Sequence, residues 1–216
     1  MRIGIFGGSF DPPHTGHLLV ALDAIEALSL DRLQVVPAAV QPLKTGQRTS
    51  AEHRLAMTRQ CFGGLPRVEV DPIEIERGGL SFSVDTVEVY RRQWPSAALH
   101  LLVGEDAVAG FARWREPERL LSMVQMVVLS RSIDATTAPK ALASSAMEEW
   151  LVRIGVQHPA QRLATRRVDV SSTEIRARVN EGRSIRGFVP DAVAAYIAAH
   201  NLYLQVPAAL GDPTLV

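Results

Sequence analysis

Two rhythms of apolar residues alternate along the chain. Short continuous runs, closed by glycine, proline or serine, give way to stretches in which apolar side chains return every three or four positions. Ile3-Gly4-Ile5-Phe6 is the first run and predicts a buried strand over Arg2–Phe6. Thr15 to Ser29 follows, with Leu18, Leu22, Ile25 and Leu28 at helical spacing, so a helix with one apolar face is expected there. Leu33–Val36, closed by Pro37, predicts a second strand, and Gln41-Pro42-Leu43-Lys44-Thr45-Gly46 reads as loop. Thr49 and Glu52 stand at capping-box spacing before a helix expected to run to Phe62 and to stop at Gly63-Gly64. Further strands are expected at Val68–Val70, Ala98–Val103, Met123–Leu129 and Arg167–Val170. Further helices are expected from Ser83 to before Pro95, around Ala107–Phe111, over Pro117–Leu121 and Lys140–Ile154, from Ser171 onward with Glu174 at capping-box spacing, and over Pro190–His200. Strands alternating with helices predict an α/β fold: a three-layer, doubly wound parallel sheet that ends in a small helical segment at about 172–200. Residues 1–205 are expected to form a single domain and 206–216 a flexible tail.

Composition narrows the classes. The chain has 216 residues, 47% of them hydrophobic and 21% charged, which is ordinary globular usage. A chain of this length buries roughly 70% of its unfolded surface and needs no staple. Lys plus Arg and Asp plus Glu both number 23, so charge offers no reason to expect nucleic acid or an anionic membrane as a partner, although a local basic pocket stays open. Cys61 is the single cysteine, which rules out an internal disulfide and points weakly to a reducing compartment. Arg2 is followed by glycine and proline before any long apolar core, unlike a signal peptide, and no run approaches the roughly 18 apolar residues needed to span a bilayer. The expectation is a soluble cytoplasmic protein, with homo-oligomer formation left open.

The candidate chemistry lies at strand ends. In parallel sheets ligands bind beyond the carboxyl ends of the strands. Three polar clusters leave expected strands at that edge: Gly7-Gly8-Ser9-Phe10-Asp11-Pro12-Pro13-His14-Thr15-Gly16-His17, Gly104-Glu105-Asp106, and Ser171-Ser172-Thr173-Glu174. The first is a strand–turn–helix junction. Helix N-termini carry unpaired N–H groups and positive potential, and glycines let an anion approach the backbone. His14 and His17, three apart, would add two imidazole donors on one side of the helix. A metal pair, or two histidines satisfied structurally, are the other readings of the same spacing. The metal reading lacks the four-residue spacing and neighbouring glutamate usual for zinc on a helix, and the GxGxxG dinucleotide fingerprint is absent.

Gly8 to His17 resembles the signature of the nucleotidyltransferase superfamily that carries the HxGH motif. Ser171-Ser172-Thr173-Glu174-Ile175-Arg176 is similar to the ISSTxxR motif of that superfamily, with Val170 in place of the first isoleucine. Within it the chain resembles the bacterial nicotinate-nucleotide adenylyltransferases up to about Tyr203. That likeness includes Ser81-Phe82-Ser83-Val84-Asp85-Thr86, Gly104-Glu105-Asp106 with Trp114 ten residues after Gly104, and the stretch from Val189-Pro190-Asp191 to Asn201-Leu202-Tyr203. The resemblance implies a Rossmann-like fold. It implies an enzyme that transfers the adenylyl group of ATP to nicotinate mononucleotide, releasing pyrophosphate and forming deamido-NAD, by direct in-line attack without a covalent intermediate. ATP and nicotinate mononucleotide are then the partners, and Mg²⁺ is the cofactor, carried on the phosphates.

Residue by residue, the resemblance implies that His14 and His17 contact the ATP phosphates, His17 nearest the reacting α-phosphate. Lys44 falls at a phosphate-binding lysine. Thr173 and Arg176 would hold the β- and γ-phosphates, so His14, His17, Lys44 and Arg176 form the expected catalytic set. Gly7, Gly8, Ser9, Phe10, Gly104, Asp106, Ser171 and Ser172 complete the expected ATP site. Ser83, Trp114 and Arg115 form the expected nicotinate mononucleotide site, through a hydroxyl, a stacking face and a backbone N–H that the Arg115 side chain could reinforce. Read without the resemblance, Trp114 is as well explained by packing. Leu43 stands where the family has histidine, and Ser130-Arg131-Ser132 replaces a common Arg-Pro-Gly turn, leaving Arg131 either a phosphate contact or an exposed loop residue. Trp94, Trp150, His53, His100, His158, His200 and Cys61 are read as structural or surface residues. The rival readings are an adenylyltransferase for nicotinamide mononucleotide or phosphopantetheine, or a silent nucleotide-binding regulator of the same fold.

Overall fold

The computed structural model describes residues 1–42, 49–108, 110–130 and 160–204. Its strands are β1 (Arg2–Gly8), β2 (Arg32–Pro37), β3 (Val68–Val70), β4 (Ala98–Gly104), β5 (Gln125–Ser130) and β6 (Gln161–Ala164). Its helices are α1 (Thr15–Ala27), α2 (Ala51–Phe62), α3 (Ile73–Arg77), α4 (Ser83–Gln93), α5 (Glu105–Val108), α6 (Pro117–Met123), α7 (Ser172–Asn180) and α8 (Asp191–Ala199), with a 3₁₀ turn at Phe111–Arg113. The strands form one sheet in the order β3-β2-β1-β4-β5-β6, and every pairing is parallel. This is the expected doubly wound α/β fold. Its strand order reverses between β1 and β4, and the crevice beyond that reversal is where such sheets bind ligands.

Alternation along the strands divides the core into two layers. Phe6, Leu102, Val127 and Leu129 face Ala21, Ala24 and Ile25 of α1, Met57 and Phe62 of α2, Ile175 of α7 and Val193 and Ile197 of α8. Ile3, Ile5, Leu101, Val103, Met126 and Val128 face Val84, Val87 and Tyr90 of α4, together with Val108, Phe111 and Leu120. Both faces of the sheet are therefore covered, as all-parallel strands require.

Several expectations are corrected. The strand placed at Arg167–Val170 is instead β6 at Gln161–Ala164, where Leu163 pairs in register with Leu129 of β5. The apolar positions within Arg167–Val170 have another cause. Thr165 N–H makes the last bond to β5, at Ser130 O (2.8 Å), and Arg166 N–H then turns to Asp23 of α1 (2.8 Å). Beyond that point Val168 and Val170 line a cavity while Arg167 and Asp169 pair with each other in solvent. The cap of α2 is Ser50, not Thr49: the Ser50 hydroxyl accepts from His53 N–H. The α1 stripe buries Ala21, Ala24, Ile25 and Leu28, whereas Leu18 and Leu22 are half-buried. Helix α3 was not expected, and the helix expected at Ala107–Phe111 is split into α5 and the 3₁₀ turn. The helix expected at Lys140–Ile154, the loop at Leu43–Gly46, Arg131, Trp150, His158 and the tail lie outside the described residues.

Candidate active site

The turn after β1 is built by packing as much as by sequence motif. Phe10 has φ 50° and is 2% exposed, with its ring edge-on to Phe6, Phe62 and His17 at centroid distances of 5.6, 5.9 and 5.1 Å. A Cβ on Gly8 would stand 3.0 Å from that ring, so glycine there lets Phe10 fold back beneath the turn.

His14 is the N-cap of α1 and His17 its third residue, and the two cap each other. His17 N–H donates to His14 Nδ1 (3.4 Å), and His14 N–H donates to His17 Nδ1 (3.2 Å). The rings stack with centroids 3.7 Å apart. Because each Nδ1 accepts, the neutral tautomer of each imidazole carries its proton on Nε2. A Cβ on Gly16 would lie 3.0 Å from His14 Nδ1, so the intervening glycine gives the His14 ring its place. The expected unpaired first-turn amides are in part occupied: His14 N–H donates to His17 Nδ1 (3.2 Å), Thr15 N–H to Phe188 O (2.9 Å), and His17 N–H to His14 Nδ1 (3.4 Å). At this helix start the donors toward an anion are chiefly imidazoles, because the protein's own acceptors use three of the amides.

Around the turn the chain is held by side chains that grip backbone carbonyls. Arg176 donates to Asp11 O (2.7 Å) and Thr173 Oγ1 (3.1 Å), and Ser172 Oγ donates to Pro12 O (2.8 Å). Tyr203 hydroxyl donates to Asp11 Oδ1 (2.8 Å), and Ser9 Oγ donates to Gln41 Oε1 (2.7 Å). The hub is Arg54, 1% exposed, which donates to Ser9 O (2.9 Å), Ala38 O (2.5 Å), Ala39 O (2.7 Å) and Thr49 O (3.3 Å). Burial pulls its pKa down, while Asp11 and Tyr203 oppose that shift. An arginine so placed stays charged.

On the other side of the β1–β4 crevice stand α4 and the Trp114 loop. Phe82 is the N-cap of α4 and supplies no side-chain bond, so Ser83 opens the helix without a side-chain cap. Trp114 is half-buried against Phe111, with centroids 4.9 Å apart. The Arg115 guanidinium lies over the Phe82 ring (4.8 Å) and pairs with Asp85 (3.5 Å) and Glu116 (3.5 Å), so it already has two carboxylate partners. Glu74 of α3, 7% exposed, accepts from Thr86 Oγ1 (2.7 Å) and also from the Ser81 hydroxyl. Burial pushes its pKa up, and those hydrogen bonds pull against the shift.

A single cavity of about 890 Å³ joins both sides. It is lined by Gly7, Gly8, Ser9, Phe10, His14, His17, Gly104, Asp106, Ser172, Thr173 and Arg176 of the expected ATP set, and by Ser83, Trp114 and Arg115 of the expected nicotinate set. Ser171 does not line it. Its hydroxyl accepts from Glu174 N–H (3.2 Å) as the cap of α7. Lys44 lies outside the described residues. Arg54, Glu74, Tyr203 and the cavity wall made by Thr165, Arg166 and Val168 were not expected from the sequence. For Arg54 a signal exists: it shares a helical face with the buried Met57 and Cys61, an odd place for a charge. Cys61 is buried, and burial pushes its thiol up to about 12, as an inert residue requires. No group of three or more His, Cys, Asp or Glu is arranged to hold a metal ion among the described residues.

A family model described as cytidylyltransferase-like matches residues 5–178. A protein of Gemmatimonas aurantiaca named "Probable nicotinate-nucleotide adenylyltransferase" is 59% identical over 212 residues, covering 98% of this chain and 97% of that protein. One of Roseiflexus sp. with the same name is 45% identical over 204 residues, covering 93% and 97%. Among solved structures, Plasmodium falciparum nicotinic acid mononucleotide adenylyltransferase complexed with NaAD superposes with a TM-score of 0.70 at 20% identity, covering 94% of this chain and 97% of that one. At that identity the structural likeness speaks for the fold alone.

Proposed function

Because the chain belongs to the cytidylyltransferase-like family and, within it, to the nicotinate-nucleotide adenylyltransferases, we propose that its cavity transfers the adenylyl group of ATP to nicotinate mononucleotide. The observation that carries the reading is the shared cavity, with the stacked histidine pair on one side and the start of α4 with Trp114 on the other.

In this reading a phosphate oxygen of nicotinate mononucleotide attacks the α-phosphorus of ATP. The new P–O bond forms as the bond to the β-phosphate oxygen breaks, and pyrophosphate leaves with the electron pair. The nucleophile is already an anion, so the site needs no general base. It needs in-line placement and donors for the charge on the transferring group. His17, and behind it His14, present Nε2–H toward that group, because their Nδ1 atoms are held by backbone amides. Arg176 and Thr173, at the start of α7, take the β- and γ-phosphates, and Lys44 adds a second cationic side chain. ATP enters with a divalent cation, which we take to be Mg²⁺ on the phosphate oxygens. Trp114 stacks on the pyridine ring, and Ser83 with the backbone at Arg115 receives the carboxylate. No described helix is long and apolar enough to cross a membrane, and we place the reaction in the cytoplasm.

The test is pyrophosphate release with ATP and Mg²⁺, offering nicotinate mononucleotide, nicotinamide mononucleotide and phosphopantetheine in turn. Turnover is expected with the first and with a clear preference over the other two. Absence of turnover with all three, or a preference for either of the others, overturns the reading.

A further inference from the structure

Glu74 is a buried acid with no part in the reaction just described, yet it lines the cavity. Its surroundings are specific. Ala39 N–H donates to Ser81 Oγ (2.9 Å), so the Ser81 hydroxyl turns its own proton to Glu74. Thr86 Oγ1 donates its proton to Glu74 Oε1 (2.7 Å) while accepting from Arg77 (3.3 Å). Ser81 N–H donates to Val40 O (2.8 Å), which ties the same turn to the exit of β2. Ser81 and Thr86 flank the start of α4 on both sides, so one carboxyl group spans the turn into the helix and the helix's first turn.

We propose that Glu74 is the positioning residue of the pyridine-nucleotide half of the site: by accepting from Ser81 and Thr86 together it holds the Ser81–Ser83 turn, and with it the start of α4, open to the cavity that Trp114 also lines. The inference rests on the reading of that half as the nicotinate mononucleotide site. A carboxyl group suits the task because it can accept from two hydroxyls at once. A glutamine offers one acceptor oxygen and an NH₂ group, so one of the two hydroxyls loses its acceptor. The effect is assigned to the turn, because Glu74 bonds Thr86 and Ser81 rather than Ser83, Trp114 or Arg115, the residues assigned to substrate contact. The chemistry also gives the effect a sign. If Glu74 places the groups that receive the substrate's carboxylate, loosening them costs the acid substrate more than its uncharged amide. If Glu74 acted only as a like charge near that carboxylate, neutralising it would favour the acid.

The experiment compares Glu74→Gln, Thr86→Val and Thr86→Ser with the natural chain, measuring kcat/KM for nicotinate mononucleotide and for its amide, KM for ATP, and Tm. Glu74→Gln is expected to lower kcat/KM for the acid by about tenfold, the scale of one lost hydrogen bond to a charged group. It should leave KM for ATP within about twofold and lower the acid-to-amide ratio. Thr86→Val is expected to move the ratio the same way, and Thr86→Ser, which keeps the hydroxyl, to restore it. An unchanged or raised ratio overturns the proposal, as does an ATP KM that moves as far as that of the pyridine nucleotide. Should Glu74→Gln fail to fold, the contrast between Thr86→Val and Thr86→Ser decides the matter by the same ratio. Failure of the natural chain to use the acid would instead overturn the adenylyl-transfer reading, so the two failures are distinct.

Discussion

The two halves of the cavity are held by different physics. On the side proposed for the phosphates, buried or half-buried side chains grip main-chain carbonyls: Arg54 takes four, Arg176 takes Asp11 O, Ser172 takes Pro12 O and Thr15 Oγ1 takes Gly187 O. On the side proposed for the pyridine nucleotide, apart from Glu74 and the bonds of Ser81 to Ala39 and Val40, the charged ties are pairs between half-exposed side chains: Arg115 with Asp85 and Glu116, and Arg119 with Glu88 and Glu116. A carbonyl held by a buried guanidinium cannot turn to water when the bond is lost, so that clamp is costly to break. An exposed ion pair surrenders its charges to solvent at little cost, typically under about 1 kcal/mol, and less in salt. The difference matches the demands on each half. In the proposed reaction, in-line transfer depends on fixed geometry at the phosphates, whereas a flat ring stacked on Trp114, as proposed, would tolerate small shifts.

Substitutions sharpen or break this contrast. The largest effect is expected for His17→Ala, which should lower kcat by about 10²–10³, the scale of removing one transition-state donor. It also removes half of the reciprocal cap, at about 1 kcal/mol of stability, so urea unfolding must accompany the kinetics. A kcat within threefold of the natural chain would take His17 away from the transferring phosphorus. Next is Arg54→Met, which strands the carbonyls of Ser9, Ala38, Ala39 and Thr49. It should cost about 3 kcal/mol or more in urea unfolding and raise KM for ATP well above any change for the pyridine nucleotide. Equal changes in both KM values would show that the phosphate side is not held separately. Trp114→Ala is expected to raise KM for the pyridine nucleotide by about tenfold with little change for ATP, in line with the loss of one aromatic contact.

The smallest effect lies away from both halves. His100, near the start of β4, has neither ring nitrogen hydrogen-bonded among the described residues, and burial, with Arg2 nearby, lowers its pKa below 6.5. A folded state that resists protonation loses stability to an unfolded chain that accepts it. Stability should therefore be lost as pH falls through 6.5 and level off below the folded pKa. His100→Leu should remove this component from the pH dependence of Tm while leaving both KM values in place. Persistence of the full acid dependence would assign it elsewhere.

Much of the molecule was legible because its signals are local. Gly8 to His17 carries its own turn, its own helix start and the reciprocal cap, all within reach of neighbouring residues. The strand runs of β1, β2 and β4 are short, apolar and closed by glycine or proline, so their class follows from composition alone. Arg167–Val170 alternates like a strand because two of its valines face a cavity, a fact that exists only once β5 and α1 are in place. For Arg54 the helical face it shares with Met57 and Cys61 hints at burial, but its task does not show locally, since its acceptors lie at Ser9, Ala38, Ala39 and Thr49.

The sequence by itself determined the α/β alternation, the histidine turn and the short motifs that line the cavity, because each depends on residues within a few positions of one another. Tertiary structure alone decided which amides of α1 remain for a ligand, which arginine is buried and which acid stands behind the start of α4. Those outcomes depend on carbonyls and hydroxyls that meet only when the strand order reverses between β1 and β4 and the C-terminal helices fold back over the first turn.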